Sequence, residues 1–146
     1  MPYFGKTSKN RLATCHKDLQ ILFEEVVVRY DCIVIEGHRG KTKQNKAFNE
    51  GRSKLKYPDG NHNNIPSMAV DVAPYVGKAR GKIDWNDADQ FNHFAGFVQG
   101  VAERLYNEGA INFWIRWGGD WRRSFTNLKA NKFKDLVHFE LKKPTK

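Results

Sequence analysis

Residues 68–73 read Met-Ala-Val-Asp-Val-Ala, an apolar run with a single acid at its centre. The run is short, contains β-branched residues and is closed by Pro74, so it predicts a buried strand. A carboxylate inside such a strand is costly unless a partner neutralises its charge. Asp71 therefore needs either a metal ion or a buried arginine, and the rest of the chain must build a sheet around it.

Helical and strand patterns lie on both sides of this run. Apolar side chains at helical spacing predict helices over residues 14–30, 41–51 and 88–107. Short apolar or alternating runs predict strands over residues 32–36, 68–73, 111–117 and 136–141. These elements predict an α+β fold, in which the helices pack on a small, mostly antiparallel sheet.

Length and composition indicate one compact globular domain. The chain has 146 residues, of which 40 % are hydrophobic and 28 % are charged. A chain of this length buries a core of its own, and this balance is typical of a soluble globular protein rather than a disordered one. We therefore expect a single domain over residues 1–146.

The net charge of +9 favours a polyanionic partner, which can be nucleic acid, an anionic membrane or an anionic cell wall. A solvated basic face would give the same number. The sequence contains no helix-turn-helix, zinc-knuckle or RNA-recognition motif, so we expect no specific nucleic-acid partner. No apolar run reaches about 18 residues, so we expect no membrane insertion. Residues 1–10 lack the apolar stretch of a signal peptide, so we expect synthesis and folding in the cytoplasm.

The two cysteines, Cys15 and Cys32, lack the spacing of metal sites and are too few for a disulfide framework. We expect both to be reduced residues of the core. They are therefore left out of the predicted site.

Two histidines accompany Asp71. His62 lies near the end of a polar stretch without a visible period, residues 52–66, and His138 lies within the last predicted strand. Long polar segments inside a compact domain are often functional. Two imidazoles and one carboxylate form a ligand set that catalytic zinc sites use, with one position left for water.

Two further charged residues lie beside predicted elements. Asp135 precedes His138 by three residues, and a carboxylate near an activated water can act as a general base, although acids before strands are also common. Arg39 lies between Gly37 and Gly40 after a predicted strand. Its guanidinium can polarise a carbonyl or hold a carboxylate, and a surface arginine in a turn has the same pattern.

Two runs resemble the M15 family of zinc peptidases: His-Asn-Asn-Ile-Pro-Ser-Met-Ala-Val-Asp-Val-Ala-Pro-Tyr at residues 62–75 and Asp-Leu-Val-His-Phe-Glu-Leu at residues 135–141. The similarity is greatest to the phage endolysins that act as L-alanyl–D-glutamate peptidases. Residues 37–39, 44–45 and 51–54 are similar to that group as well. The resemblance extends over most of the chain.

The resemblance implies roles for five residues. His62, Asp71 and His138 would bind Zn²⁺. Asp135 would deprotonate the attacking water, and Arg39 would stabilise the negative charge on the scissile carbonyl oxygen. The implied activity is hydrolysis of the L-Ala–D-Glu bond of the peptidoglycan stem peptide, without a covalent intermediate.

The resemblance also implies substrate contacts. The candidates are Gln44, Ser67, Asp120 and Trp121. Ser67 would alternatively shape the turn after Pro66, and residues 117–121 would alternatively form a tight turn with two core tryptophans.

Two features depart from the family pattern. Many members have a serine two positions before the first histidine, where this chain has Gly60. Many also have six residues between the histidine and the aspartate, and here eight intervene between His62 and Asp71. At the shorter spacing the ligand position would be Asn64, and asparagine is a poor zinc ligand. Two extra residues in an extended segment leave the relative directions of the two ligand side chains unchanged. The predicted ligand is therefore His62.

Three other functions stay open: a D-alanyl–D-alanine carboxypeptidase with the same zinc site, a cell-wall binding module without catalysis, and a basic nucleic-acid-binding protein. The absence of a signal peptide favours the endolysin, because endolysins leave the cytoplasm through holin pores. We therefore expect a monomeric enzyme, folded in the host cytoplasm, with one catalytic domain over residues 1–146 and no separate cell-wall binding domain. Its basic charge would draw it to the anionic wall.

Overall fold

The structure, a computed structural model, describes residues 2–75, 83–131 and 133–145. The helices are α1 (Lys6–Leu12), α2 (Lys17–Arg29), α3 (Lys41–Asn49) and α4 (Ala88–Asn107). The strands are β1 (Cys32–Glu36), β2 (Ala69–Pro74), β3 (Trp114–Trp117) and β4 (His138–Lys142). Single turns of 3-10 helix cover Asn61–Asn63 and Leu128–Ala130. The predicted α+β class is confirmed.

The four strands form an antiparallel sheet in the order β1-β2-β4-β3. Asp71 of β2 is paired with His138 of β4, and Arg116 of β3 is paired with Glu140 of β4. Since side chains alternate between the two faces of a strand, these four residues share one face of the sheet. That face carries the polar groups of the candidate site.

The opposite face of the sheet carries the core, which α2 and α4 cover. Val70 of β2 and Phe139 of β4 are fully buried there. The ring centroid of Phe139 lies 5.4 Å from that of Phe23 in α2 and 6.1 Å from that of Phe94 in α4, both in edge-on contact. Each such apolar side chain stabilises the fold by about 1.5–3 kcal/mol on burial.

Asp18, in the first turn of α2, explains two element boundaries that differ from the prediction. The helix begins at Lys17 rather than at residue 14, because His16 precedes it and its Nδ1 accepts the N–H of Asp18. The carboxylate of Asp18 accepts the backbone N–H groups of Asn112 and Phe113, at 2.8 and 3.1 Å. Strand β3 therefore starts at Trp114 and not at residue 111.

Helix α1 was not predicted, and it protects the outer edge of the sheet. Strand β1 has β2 on one side only, and an open edge exposes unpaired backbone groups. Ser8 Oγ accepts the N–H of Val34 at 3.1 Å, and Arg11 Nη1 donates to the Val34 carbonyl at 3.1 Å. The side chains of α1 thus replace a neighbouring strand at that point.

Both cysteines are buried free thiols, as predicted. Burial raises the pKa of the Cys15 thiol to about 12, and burial also raises the pKa of Cys32. Both are therefore protonated and unreactive near neutral pH. Among the described helices, none is long and apolar enough to cross a membrane.

Candidate metal centre and active-site cleft

Strands β2 and β4 bring two of the predicted ligands together, since Asp71 and His138 are paired across the sheet. His62 approaches from the 3-10 turn Asn61–Asn63. Asp71 Oδ1 lies 3.2 Å from His62 Nε2 and 3.4 Å from His138 Nδ1, and these two nitrogens are 3.3 Å apart. The three ligand atoms form a nearly equilateral triangle, and all three residues are buried.

Each of the two histidines is oriented by a hydrogen bond at the ring nitrogen that is not part of the triangle. His62 Nδ1 lies 2.7 Å from the carbonyl oxygen of Gly37, and His138 Nε2 lies 2.7 Å from Glu140 Oε1. Both partners are acceptors, so the neutral rings carry their protons on these nitrogens. The two nitrogens of the triangle are then lone pairs beside a carboxylate oxygen. Three such electron-pair donors repel one another unless a proton or a metal ion lies among them.

The size of the triangle fits zinc. Nitrogen and oxygen ligands lie about 2.0–2.1 Å from Zn²⁺, so two ligands of a tetrahedral site are about 3.3–3.4 Å apart. The observed separations are 3.2, 3.3 and 3.4 Å. Two imidazole nitrogens also favour a transition metal over Ca²⁺ or Mg²⁺, which prefer oxygen. These residues therefore can hold a zinc-type ion.

The charges of the triangle are strongly coupled. Burial opposes ionisation of Asp71, but the neighbouring His62 and His138 outweigh it and lower the pKa of Asp71 well below its ordinary value. Burial likewise opposes the charged form of His138, yet its hydrogen bonds to Asp71 and Glu140 raise the pKa of His138 to about 10. A metal ion must therefore displace a proton from His138 when it binds.

Arg39 neutralises the other oxygen of Asp71. One of its terminal nitrogens, Nη2, lies 3.5 Å from Asp71 Oδ2 and 3.1 Å from Glu36 Oε2, and Nη1 donates to Gln44 Oε1 at 3.1 Å. Both partners foreseen for Asp71, a metal-binding set and a buried arginine, are therefore present. The guanidinium has five N–H groups, and these contacts leave two of them for another acceptor.

Gln44 lines the cleft and holds Arg39, and the substrate contact predicted for it stays a prediction. Its amide oxygen accepts from Arg39 Nη1 and from Asn63 Nδ2, at 3.1 and 3.2 Å. Its amide nitrogen donates to Ser53 Oγ and to the Leu55 carbonyl, at 3.0 and 2.6 Å. Two lone pairs and two N–H groups are the full capacity of an amide, so Gln44 uses all of its hydrogen-bonding groups within the protein.

Asp135 lies in the turn before β4, where its carbonyl accepts the N–H of His138 at 3.1 Å. Its carboxylate lines the same cavity as His62 and His138 and has no hydrogen-bond partner among the described residues. Burial and then the negative charge of Asp71 raise its pKa above the ordinary value. A half-buried carboxylate beside the triangle is well placed to exchange a proton.

A cavity of about 390 Å³ opens onto the triangle. Residues 52–55 line one part of it, and the rings of Trp121 and Phe133 line another. The two rings stack with their planes 20° apart, and the Trp121 ring lies 5.3 Å from that of His138. Trp121 therefore belongs to the wall of the cleft, and its contact with the substrate stays a prediction.

Ser67 and Asp120 lie outside the cleft, which corrects their prediction as substrate contacts. Both are fully buried. Ser67 Oγ donates to the Ala69 carbonyl at 2.6 Å and so shapes the turn before β2. The carboxylate of Asp120 accepts the N–H groups of Ser124 and Phe125 at 3.0 and 2.7 Å, in a loop where Phe125 has a positive φ of 59°. Both side chains stabilise backbone instead of meeting a ligand.

Three supporting residues were missed in the sequence: Glu36, Arg116 and Glu140. Glu140 accepts from His138 on one oxygen and from Arg116 on the other, and these partners lower its pKa to about 2 despite its burial. A signal for it was present, because Glu140 interrupts an apolar strand just as Asp71 does. The role of Glu36 depends on a bulge in β1, which no local pattern predicts.

A buried triangle that can hold a metal ion, beside a carboxylate without a hydrogen-bond partner among the described residues, suits attack by an activated water, so the fold and the site point to the class of hydrolases. The family model of the phage L-alanyl-D-glutamate peptidases matches residues 1–142. The L-alanyl-D-glutamate peptidase of Escherichia phage T5 is 33 % identical over 123 residues, which cover 83 % of this chain and 82 % of that protein. The chain therefore belongs to the phage L-alanyl-D-glutamate peptidase family.

A solved structure has the same fold. The crystal structure of the L-Ala D-Glu endopeptidase ChiX of Serratia marcescens matches with a TM-score of 0.69 and 22 % identity, over 97 % of this chain and 91 % of that one. At this identity the match concerns the architecture, and the chemistry follows from the residues described above.

Proposed function

We propose that this peptidase hydrolyses the L-alanyl–D-glutamyl bond of the peptidoglycan stem peptide, with Zn²⁺ held by His62, Asp71 and His138. The observation that carries the proposal is the triangle of ligand atoms, 3.2–3.4 Å on each edge, beside the free carboxylate of Asp135. The names of its relatives give the bond, and the 390 Å³ cavity has the size of a site for a short peptide.

In this proposal Asp135 moves the proton. When bound, Zn²⁺ supplies Lewis acidity, which makes a water more acidic and a carbonyl carbon more electrophilic. Asp135 accepts a proton from the attacking water on a carboxylate oxygen and returns it to the departing D-glutamyl amine. A raised pKa suits both steps, because proton exchange is most efficient for a group that titrates nearer the working pH.

Arg39 is proposed to stabilise the scissile carbonyl oxygen as negative charge develops on it. Its two remaining N–H groups are the donors for this contact. Glu36 and Gln44 hold the guanidinium before substrate arrives, so little reorganisation accompanies the reaction.

We infer a monomeric enzyme with one catalytic domain, which reaches the wall from the host cytoplasm by holin-type release. The net charge of +9 supports attraction to the anionic polymers of the wall.

Digestion of purified peptidoglycan followed by mass spectrometry tests this function. Wild type should create new amino-terminal D-glutamyl or D-isoglutaminyl ends, and a chelator should abolish them. Asp135→Asn should create about 100- to 10,000-fold fewer ends per unit time, the usual contribution of a general base. Asp59→Asn, which changes an exposed acid outside the cleft, is the matched control and should act like wild type.

Two results would contradict the proposal. Release of free D-alanine in place of D-glutamyl ends would agree with the metal site but would show that the protein cleaves the bond of a carboxypeptidase. Absence of any cleavage by protein that contains zinc would remove the catalytic role and favour a wall-binding protein.

A further inference from the structure

Among the described residues, three arginines and one lysine line the cleft, and the three arginines are already paired. Arg39 contacts Glu36 and Asp71, and its charge is balanced within the site. The remaining pairs are Arg52 with Glu50, at 2.7 Å, and Arg116 with Glu140. These cations therefore offer little net charge to a ligand.

Lys54 is the fourth cation, and it has no carboxylate within 4.0 Å among the described residues. Its ammonium lies 5.0 Å from the centroid of the Phe133 ring, over the face of the ring. A cation–π contact positions an ammonium group without neutralising its charge. Lys54 thus presents a positioned, uncompensated positive charge to the cleft.

The aromatic wall connects this charge to the ligand triangle. Phe133 stacks on Trp121 at 6.1 Å, and Trp121 contacts the ring of His138 at 5.3 Å. A peptide whose scissile bond lies at the triangle can therefore extend along the two rings towards Lys54. The ammonium would then meet a part of the peptide beyond the reacting bond.

We propose that Lys54 is a specificity-determining residue that binds a free carboxylate of the stem peptide on the D-glutamyl side of the scissile bond. The inference rests on the proposed function. In the stem peptide D-glutamate is linked through its γ-carboxyl group, which leaves its α-carboxylate free unless the wall is amidated. The next residue, when it is diaminopimelate, carries a second free carboxylate. Either anion complements the unpaired ammonium of Lys54.

Steady-state kinetics on three synthetic peptides test this role. The first carries D-glutamate and diaminopimelate, the second has D-isoglutamine in place of D-glutamate, and the third has L-lysine in place of diaminopimelate. Lys54→Gln should lower kcat/KM by about tenfold, mainly through KM, only for peptides that retain the recognised carboxylate. Lys54→Arg should restore most of the loss because it restores the charge.

Lys56→Gln is the matched control. Lys56 lies in the same segment and also covers an aromatic ring, that of Phe48 at 4.9 Å, but it does not line the cleft. This variant should leave all three kcat/KM values unchanged.

The pattern of loss identifies the carboxylate. A loss confined to the first and third peptides assigns Lys54 to the α-carboxylate of D-glutamate, and a loss confined to the first and second assigns it to diaminopimelate. An equal effect of Lys54→Gln on all three peptides, or no effect, would overturn the role of Lys54. Cleavage of the peptides by wild type would still support the proposed function. If wild type cleaves none of the peptides, the proposed function fails and the inference fails with it.

Discussion

Gly37 and Glu140 decide which nitrogen of each ligand histidine carries a proton, although neither belongs to the triangle. The Gly37 carbonyl is a fixed backbone acceptor for His62. Glu140 is an ionised side chain for His138, and it is itself held by Arg116. A carboxylate behind a metal-binding imidazole orients the ring and increases its basicity. The two histidines therefore differ in how strongly they donate electrons.

Glu140→Gln tests this difference at the residue scale. The amide keeps an acceptor for His138 but loses the negative charge, so we expect zinc affinity to fall by about 10- to 100-fold. A competition titration against a chromophoric chelator measures it. Glu103→Gln removes another arginine-paired carboxylate, on α4 and away from the cleft, and should leave zinc affinity unchanged. Equal affinities for Glu140→Gln and wild type would show that the charge of Glu140 does not influence the metal.

Asp135 offers a second residue-scale prediction, because its function and its effect on stability oppose each other. Its folded-state pKa is raised, so the folded protein holds that proton more tightly than the unfolded chain does. Ionisation of Asp135 therefore destabilises the metal-free fold at pH values above the unfolded pKa of about 3.9. We expect metal-free Asp135→Asn to be more stable than wild type at pH 7 in urea unfolding.

The pH dependence distinguishes this cause from a change in packing. The gain in stability of Asp135→Asn should shrink as the pH is lowered below the unfolded pKa of about 3.9, because wild-type Asp135 then becomes protonated in both states. A variant that is less stable than wild type at pH 7 would contradict the prediction.

Single residues were predictable where a side chain conflicts with its surroundings. An acid between Val70 and Val72 requires a partner, and that requirement led to His62 and His138. Ser67 and Asp120 were assigned wrongly because serine and aspartate bind nearby backbone as readily as they bind a ligand.

At the scale of elements, the short helix α1 has an importance that its sequence does not reveal. Its seven residues, Lys-Thr-Ser-Lys-Asn-Arg-Leu, contain one apolar side chain, so no hydrophobic period predicts it. Its helical form depends on contacts with β1, a partner distant in sequence. The long helices α2 and α4 have full apolar stripes of their own and were predicted for that reason.

Ser8→Ala tests the protection of the sheet edge. The buried N–H of Val34 would lose its acceptor, Ser8 Oγ, and an unsatisfied buried donor costs about 1–3 kcal/mol of unfolding free energy. Chemical denaturation measures the loss. Thr7→Ala, at the exposed neighbouring position, should change the free energy of unfolding by no more than about 0.5 kcal/mol. If both variants are equally stable, the hydroxyl of Ser8 does not support β1.

At the scale of the whole molecule, the ligand triangle joins parts of the chain that are far apart in sequence. His62 precedes β2, Asp71 lies within it, and His138 begins the last strand. A metal ion bound to all three therefore binds the folded state and not the unfolded chain. Ligand binding to the folded state alone stabilises it according to the degree of saturation.

Metal removal should therefore lower the melting temperature. At a free zinc concentration about 100 times Kd the stabilisation is about 2.7 kcal/mol, which corresponds to roughly 5–10 °C for a chain of this size. Differential scanning calorimetry with and without a chelator measures the shift. His62→Ala should melt at the same temperature with and without the chelator. If the chelator does not change the melting temperature of wild type, the metal does not contribute to stability.

The two faces of the central strands have a consequence for how this family can vary. On β2 and β4 the residues that face the helices, such as Val70 and Phe139, alternate with Asp71, His138 and Glu140 on the other side. In a saturation library, substitutions along each strand should alternate in their main effect, between loss of core packing and loss of activity. Packing and turnover therefore depend on alternate residues of the same strands, and only the ligands Asp71 and His138 would contribute to both activity and metal-dependent stability.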